Sequence, residues 1–395
     1  MKLLIYSHFF RPSVGGVETI VESLARGLAD FRTTGGEAEF DVTIVTQAVA
    51  GEFKDNSFPF RVVRQPTLRK LWHLVRTSDV VHLAGPSLAP LFLAWLSRKP
   101  VVLEHHGYQA ICPNGILVYQ PDGTICPGYF QARRYEKCWG CQNSQLSRSR
   151  SVLGLILMFP RYWLARMVSR NLAITKHVLE RHKLPRAQVV YYGIGDPFGM
   201  ENSSIPEVNG SGKVCFAFVG RFVPEKGIPI FLKAARLLMK EGYAFEVRLI
   251  GDGPERAKIE SIIKRDELDD YVRITGYLAG APLAEALKDV SVVVMPSIWE
   301  ETAGLAAIEQ MMRGRLVIAS EIGGLSEIVG NTGLCFPAGN ADALAERMKT
   351  VLRVPALSDS MGQQARQRAL HLFARHRMIE EHAGIYAELL QYPPT

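Results

Sequence analysis

The 395-residue chain contains no apolar stretch approaching the length needed to cross a bilayer as a helix, which argues against membrane-spanning helices. Its apolar start, Leu3 to Phe10, runs directly into Arg11-Pro12 and a glycine-rich loop, with no small-residue cleavage site of the secretory kind. No GxGxxG follows a strand with an acid about 20 residues further on, so the fingerprint of a nicotinamide-dependent oxidoreductase is missing. No RNA- or DNA-binding motif accompanies the positive charge, which makes nucleic acid the least favoured anionic partner. The second half places no Asp-x-Asp at a strand end to hold a divalent ion, so no catalytic cofactor is expected. These absences predict a cytoplasmic protein and leave open a peripheral contact with the inner face of a membrane.

What is present is ordinary for a soluble globular chain: 47% hydrophobic and 22% charged residues. The length allows two or three domains. The net charge is +7, and its excess is local. Over 131–170 stand eight basic residues (Arg133, Arg134, Lys137, Arg148, Arg150, Arg161, Arg166, Arg170) against one acid, Glu136. Such a face suits membrane phosphate or an anionic substrate.

Residues 2–7 read as a buried strand, 11–17 as a glycine-rich loop, and 18–29 as a helix with Ile20, Val21, Leu24 and Leu28 on its apolar side. Strand, glycine-rich loop and helix make a phosphate-binding geometry in general, although many such loops are only tight turns. Further β segments at 41–46, 61–64, 79–83 and 100–104, several separated by helical stretches, predict a doubly wound parallel sheet. The last of these leads into His105-His106-Gly107-Tyr108. A His at the carboxyl end of a strand is placed for chemistry, while a satisfied structural His is the default. Cys112, Cys126, Cys138 and Cys141 then cluster, the last two as CxxC; Cys215 and Cys335 sit in apolar contexts and read as core. In a cytosolic chain the cluster suggests structural zinc, with unliganded thiols or disulfides as alternatives. Segment 147–170 joins an apolar run to Pro160-Arg161-Tyr162-Trp163. It reads as an interfacial helix, as a core helix under the cysteine loop, or as a helix with one face packed and arginines reaching lipid phosphate.

In the second half, the strand KVCFAFVG (213–220) carries Arg221 at its carboxyl end, and Pro224-Glu225-Lys226-Gly227 precedes a helix over 228–240. Two cations around such a junction can clamp a diphosphate, where isolated ones would be surface charges. A strand over 290–295 ends at Pro296-Ser297, and a polar loop follows with Trp299, Glu300 and Glu301. Thr302 and Gly304 lead into a helix whose apolar side carries Leu305, Ile308, Met311 and Met312. In a parallel sheet that loop lies where ligands bind, and the helix start offers free N–H groups. Glu301 and Glu309 would stand roughly 12 Å apart at helical spacing. That suits two hydroxyl groups at opposite ends of a long ligand better than a shared proton.

Glu301-x7-Glu309 after Pro-Ser, with Gly304-Leu305 between and MxxGxxVIAS behind, together with GRFVPEKG, resembles the donor-site signature of retaining glycosyltransferases of the GT-B fold, family four. The chain departs from it at Ala303, where the family usually has Phe, and at Leu316, where it has Pro. The resemblance covers nearly the whole chain and is most specific over 213–339. It implies an α/β protein of two Rossmann-like doubly wound domains facing a cleft. Residues 1–195 would form the acceptor-side domain, with a cysteine-rich loop at 107–145. Residues 196–375 would bind the nucleotide sugar, and a helix within 376–395 would cross back to the first domain.

The implied reaction moves a hexosyl group from a nucleoside-diphosphate sugar to a hydroxyl of a glycan, lipid-linked or small-molecule acceptor, with retention, as in polysaccharide biosynthesis. By resemblance, Arg221 and Lys226 hold the pyrophosphate, Glu301 the sugar hydroxyls and Glu309 the ribose, with Gly304 and Leu305 beside the donor. Gly15 and Gly16 let backbone approach the donor phosphate and the acceptor, and His106, in preference to His105, faces the donor sugar. A subset of the family carries a cysteine insertion after this His, which favours a stapled loop on the acceptor side. Tyr192-Gly193 resembles the family's Asn-Gly hinge with Tyr192 in place of Asn, and 201–212 reads as the link between domains. The alternatives are a non-catalytic nucleotide-sugar-binding protein of the same fold and, less favoured, a nicotinamide oxidoreductase.

Overall fold

A computed structural model describes residues 1–32, 35–198 and 213–391; the expected link at 201–212 lies outside the described residues. The chain divides into two compact units, one of Met1–Ile194 with Phe373–Thr395, the other of Gly195–Leu372.

The first unit contains β1 (Lys2–Ser7), α1 (Gly16–Ala29), β2 (Asp41–Thr46), β3 (Arg61–Arg64), α2 (Leu68–Thr77), β4 (Val80–Ala84), α3 (Leu88–Leu96) and β5 (Val101–His105). The cysteine-rich loop follows, with β6 (Val118–Tyr119), β7 (Thr124–Ile125) and α4 (Tyr135–Asn143). Then come α5 (Arg148–Met167), β8 (Arg170–Ala173), α6 (Lys176–His182) and β9 (Ala187–Val189). Seven strands pair in parallel in the order β3-β2-β1-β4-β5-β8-β9, and β6 and β7 form a separate antiparallel pair. Helical crossovers cover both faces of such a sheet, so its central strands are apolar runs without alternation. Accordingly Leu3, Leu4, Ile5, Val81 and Leu83 are all buried. On α1 the residues Ile20, Val21, Leu24, Ala25 and Leu28 form the inward stripe.

The second unit contains β10 (Val214–Val219), α7 (Ile228–Lys240), β11 (Phe245–Ile250), α8 (Arg256–Arg265), β12 (Val272–Gly276), α9 (Gly280–Ala286) and β13 (Val292–Met295). It continues with α10 (Leu305–Met312), β14 (Leu316–Ser320), α11 (Gly323–Val329), β15 (Leu334–Phe336), α12 (Ala341–Arg353) and α13 (Ala356–Leu372). Its parallel sheet runs β12-β11-β10-β13-β14-β15. Phe216, Phe218, Phe231, Leu232, Val292 and Ile318 fill one core, each contributing about 1.5–3 kcal/mol on burial. The strand order reverses between β10 and β13, and the loops leaving those two strands are the expected place for a ligand. These are the loops of Arg221 and Lys226, and of Glu301.

The last helix, α14 (Arg375–Gln391), belongs to the first unit and packs on α1. Met378, His382, Tyr386 and Leu389 form its buried stripe, at the spacing expected of one helical face.

Candidate active site

In the second unit, Arg221 is exposed just beyond β10, and Pro224 to Lys226 make one tight 3-10 turn that closes at Gly227. Lys226 Nζ donates to Glu301 Oε1 at 2.8 Å, and Ser297 Oγ donates to the same oxygen. Glu301 is only 4% exposed. Its backbone is held as well, because Gly324 N donates to Glu301 O at 2.6 Å, and the two loops are tied by Ile298 N donating to Glu225 O at 2.9 Å. Two glycines permit this interlock. Gly227 has φ +65°, and a Cβ there would lie 2.0 Å from Pro296 O; Gly323 has φ +60°, and a Cβ there would lie 2.5 Å from Glu301 O. Both positions therefore exclude a side chain by conformation and by space.

Gly304 is the N-cap of α10, and Leu305 is its first residue. The first-turn N–H groups of a helix lack intrahelical acceptors and point at whatever lies before it. Glu309, one turn on, is half-buried, and burial pushes its carboxyl above the usual range, opposed by the charge of Arg313. Arg221, Lys226, Glu301, Gly304 and Leu305 thus gather on the loops at the β10/β13 reversal, and Glu309 follows on α10.

In the first unit, Gly15 caps α1, and its carbonyl accepts from Thr19 N and Thr19 Oγ1. A Cβ on Gly15 would lie 2.5 Å from Glu18 Oε2. Gly16 opens the helix and is exposed. His106 follows β5 with its ring turned into the domain: Nδ1 meets Tyr192 Oη at 2.8 Å, and Nε2 lies 3.4 Å from Glu104 Oε2. Burial lowers its pKa to about 4, against the pull of Glu104, so the imidazole is neutral at pH 7. His105 bonds Asn171 at 2.8 Å and packs against His182. Tyr192, expected only to replace a hinge Asn, is the partner of His106, and Glu104 is its other neighbour. Neither was marked by sequence pattern, although a Glu inside the apolar run VVLEH was a signal.

The four clustered cysteines are all buried, and none of the described cysteines is disulfide-bonded. They line one small cavity with Asn114, Val118 and Gln142. Cys141 Sγ accepts from Gln120 N and Asn114 Nδ2, both at 3.4 Å. Burial raises the Cys112 thiol to about 11 and Cys138 to about 12, the latter helped by the other three sulfurs. Among the described residues no three of these sulfurs lie within 4.8 Å of one another. Phe130, Cys138 and Met158 form a core that joins the cysteine loop to α5.

A family model described as "Glycosyl transferases group 1" matches residues 201–368. A relative, the uncharacterized glycosyltransferase MJ1178 of Methanocaldococcus jannaschii, is 30% identical over 374 residues, 93% of each chain. This chain belongs to the group 1 glycosyltransferases. The glycosyltransferase is also 29% identical over 174 residues to the alpha-D-kanosaminyltransferase of Streptomyces kanamyceticus, of whose length it spans 45%, with 44% of its own. Its fold is GT-B: the crystal structure of Anabaena HepE in complex with UDP superposes with a TM-score of 0.73 at 16% identity, covering 98% of this chain and 100% of that one. Family membership replaces the oxidoreductase alternative.

Proposed function

We propose that this glycosyltransferase belongs to family four and moves a hexosyl group from a nucleoside-diphosphate sugar to an acceptor hydroxyl with retention. The observation that carries the proposal is the Lys226–Glu301 pair at the sheet's reversal point, beside exposed Arg221 and the start of α10. The solved complex of HepE with UDP supports a nucleotide of this kind as ligand.

As the sugar–phosphate bond breaks, charge grows on the departing diphosphate. Arg221, Lys226 and the N–H groups of α10 meet it, and preorganised charge of this kind is commonly the largest catalytic contribution. Glu301 then accepts from sugar hydroxyls, and Glu309 from the ribose. Gly15 and Gly16 let the backbone approach the donor phosphate and the acceptor. His106 contacts the donor sugar as a neutral donor or acceptor and exchanges its bond to Tyr192 to do so. Cys112, Cys126, Cys138 and Cys141 hold a structural zinc; a metal that binds thiolates would offset the burial that raises them.

The acceptor is a glycan or lipid-linked hydroxyl, and anionic membrane is the surface on which it is met. α5 supports this. Val152, Ile156, Phe159, Trp163 and Met167 form an outward apolar stripe on it, Trp95 of α3 packs edge-on against Trp163, and Arg148, Arg150 and Arg166 are exposed beside them. Ser151, Met158 and Ala165 face inward. One packed face and one apolar face flanked by arginines support an interfacial helix. No helix among the described residues is long and apolar enough to cross a membrane.

The test is a panel of nucleotide sugars scored for thermal stabilisation, followed by NMR of the product formed from the stabilising donor. The donor's own anomeric configuration in the product is expected. An inverted product would overturn the retaining assignment, and stabilisation by no nucleotide sugar would overturn the donor class.

A further inference from the structure

β4 and β5 lie side by side in the first unit with His82 opposite Val102 and Ala84 opposite Glu104. His82 and Glu104 therefore project from the same face of the sheet. The rest of these two strands is Val, Leu and Ala apart from His105, yet His82 is 0% and Glu104 1% exposed. His382, on the inward stripe of α14, is also fully buried and meets them there.

The hydrogen-bonding of this group is incomplete in one direction only. His382 Nδ1 lies 2.8 Å from Met378 O. A carbonyl only accepts, so Nδ1 carries the proton, and in the neutral ring Nε2 is left with its lone pair. That lone pair faces Glu104 Oε1 at 3.9 Å. His82 Nδ1 is engaged by Tyr386 Oη at 2.8 Å, while its Nε2 stands 3.3 Å from Glu104 Oε2. Both Nε2 atoms and both Glu104 oxygens are buried without a hydrogen-bond partner. Leaving a carboxylate buried in this condition is costly.

A direct imidazolium–carboxylate bond would draw the atoms to about 2.7–2.9 Å. The observed 3.3 and 3.9 Å are too long for that. The 3.3 Å from His82 matches the edge of a coordination tetrahedron, about 3.3 Å for metal bonds of 2.0–2.1 Å, and the 3.9 Å from His382 to the other oxygen would have to shorten on binding. The remote nitrogens are oriented by a backbone carbonyl and a tyrosine hydroxyl, which is how metal-binding histidines are commonly held. One ring nitrogen from each histidine and one carboxylate oxygen all lie within 4.8 Å of one another. His106 brings a further ring to the same carboxylate, at 3.4 Å.

We propose that His82, Glu104 and His382 bind a divalent transition metal of the zinc class, which fastens α14 to β4 and β5. Imidazole and carboxylate are ligands that such ions accept. The three side chains are sealed from solvent, so the ion is structural, and its binding free energy adds to folding. The site is separate from the thiols and does not depend on the transfer reaction.

The test uses the whole chain, crystallised from zinc-containing buffer, with anomalous scattering recorded on both sides of the zinc edge. A peak about 2.0–2.2 Å from the two Nε2 atoms and Glu104 is expected, distinct from any peak at the cysteines. In solution, His382→Gln and His82→Gln should each lower bound zinc by about one per chain and lower the melting temperature, with the amount of sulfur-bound zinc per chain unchanged in X-ray absorption. Should these variants fail to fold, the wild-type map still decides. Absence of density at the three side chains, or unchanged zinc content in folded His382→Gln, overturns the proposal.

Discussion

Lys226 Nζ and Glu301 Oε1 lie 2.8 Å apart, so the cation expected to meet a diphosphate is paired with the carboxylate expected to meet a sugar. The two roles are therefore coupled. Lys226→Ala should lower turnover more than it raises the donor's KM. It should also cost about 1–3 kcal/mol of stability, because Glu301 loses a charge-assisted bond while staying buried. In a double-mutant cycle with Glu301→Ala the stability losses should fall short of additive, by about 0.5–3 kcal/mol. Strict additivity in denaturant melts would show the pair to be energetically idle.

Glu309 should set nucleotide affinity. Glu309→Ala is expected to weaken binding of the nucleoside diphosphate itself, whereas Glu301→Ala spares it and lowers turnover. Burial raises the Glu309 carboxyl above its unfolded value. An acid raised on folding contributes stability below its unfolded pKa and loses it as pH rises through the folded pKa. Ribose hydroxyls favour the ionised form, so nucleotide binding near the raised pKa should release a proton. Calorimetry in buffers of different ionisation enthalpy should detect that release in the wild type and not in Glu309→Gln; equal release in both would reassign the proton.

Turnover should need no added magnesium or manganese, with Arg221 and Lys226 meeting the leaving diphosphate. A brief assay in chelator should match one without it. Immediate loss, restored by magnesium or manganese but not zinc, would contradict the cation assignment.

At the thiols, about one zinc bound by sulfur is expected per chain, with Zn–S distances of about 2.3 Å. Bringing the sulfurs to that geometry requires the small cavity they line to contract. Cys138→Ser/Cys141→Ser should abolish the sulfur signal in X-ray absorption. Four freely titratable thiols in the native protein, with no sulfur-bound metal, would exclude the site.

Vesicle sedimentation should recover more protein with anionic than with neutral lipid, less so as salt rises. Neutralising Arg148, Arg150 and Arg166 should weaken recovery. Arg161 should matter less, because its Nη1 turns to Met158 Sδ at 3.5 Å. Identical recovery from both lipids would leave the stripe on α5 without a charged partner surface.

Much of the fold was legible in the sequence because parallel strands buried on both faces are written as short apolar runs, such as 2–7 and 290–295. The loops after β10 and β13 were legible because glycines and charges cluster there in short range. The Lys226–Glu301 pairing was not, since it depends on how two loops 75 residues apart meet. His82, Glu104 and His382 were less visible still: they share no motif, lying on two strands and a helix far apart in the chain, and the helix carrying His382 is joined to the strands only by tertiary packing. The orientation of His106 was hidden for the same reason, as its partner Tyr192 is 86 residues away.

The return of α14 to the first unit has a consequence for synthesis. When residues 1–194 have left the ribosome, the helix that covers part of their sheet does not yet exist. About 180 residues of the second unit must be made first, which takes roughly 10–35 s at ordinary bacterial and eukaryotic elongation rates. Throughout that interval the face bearing His82 and Glu104 waits without its cover, as a nascent surface that chaperones can hold and that only α14, translated after the second unit, can close.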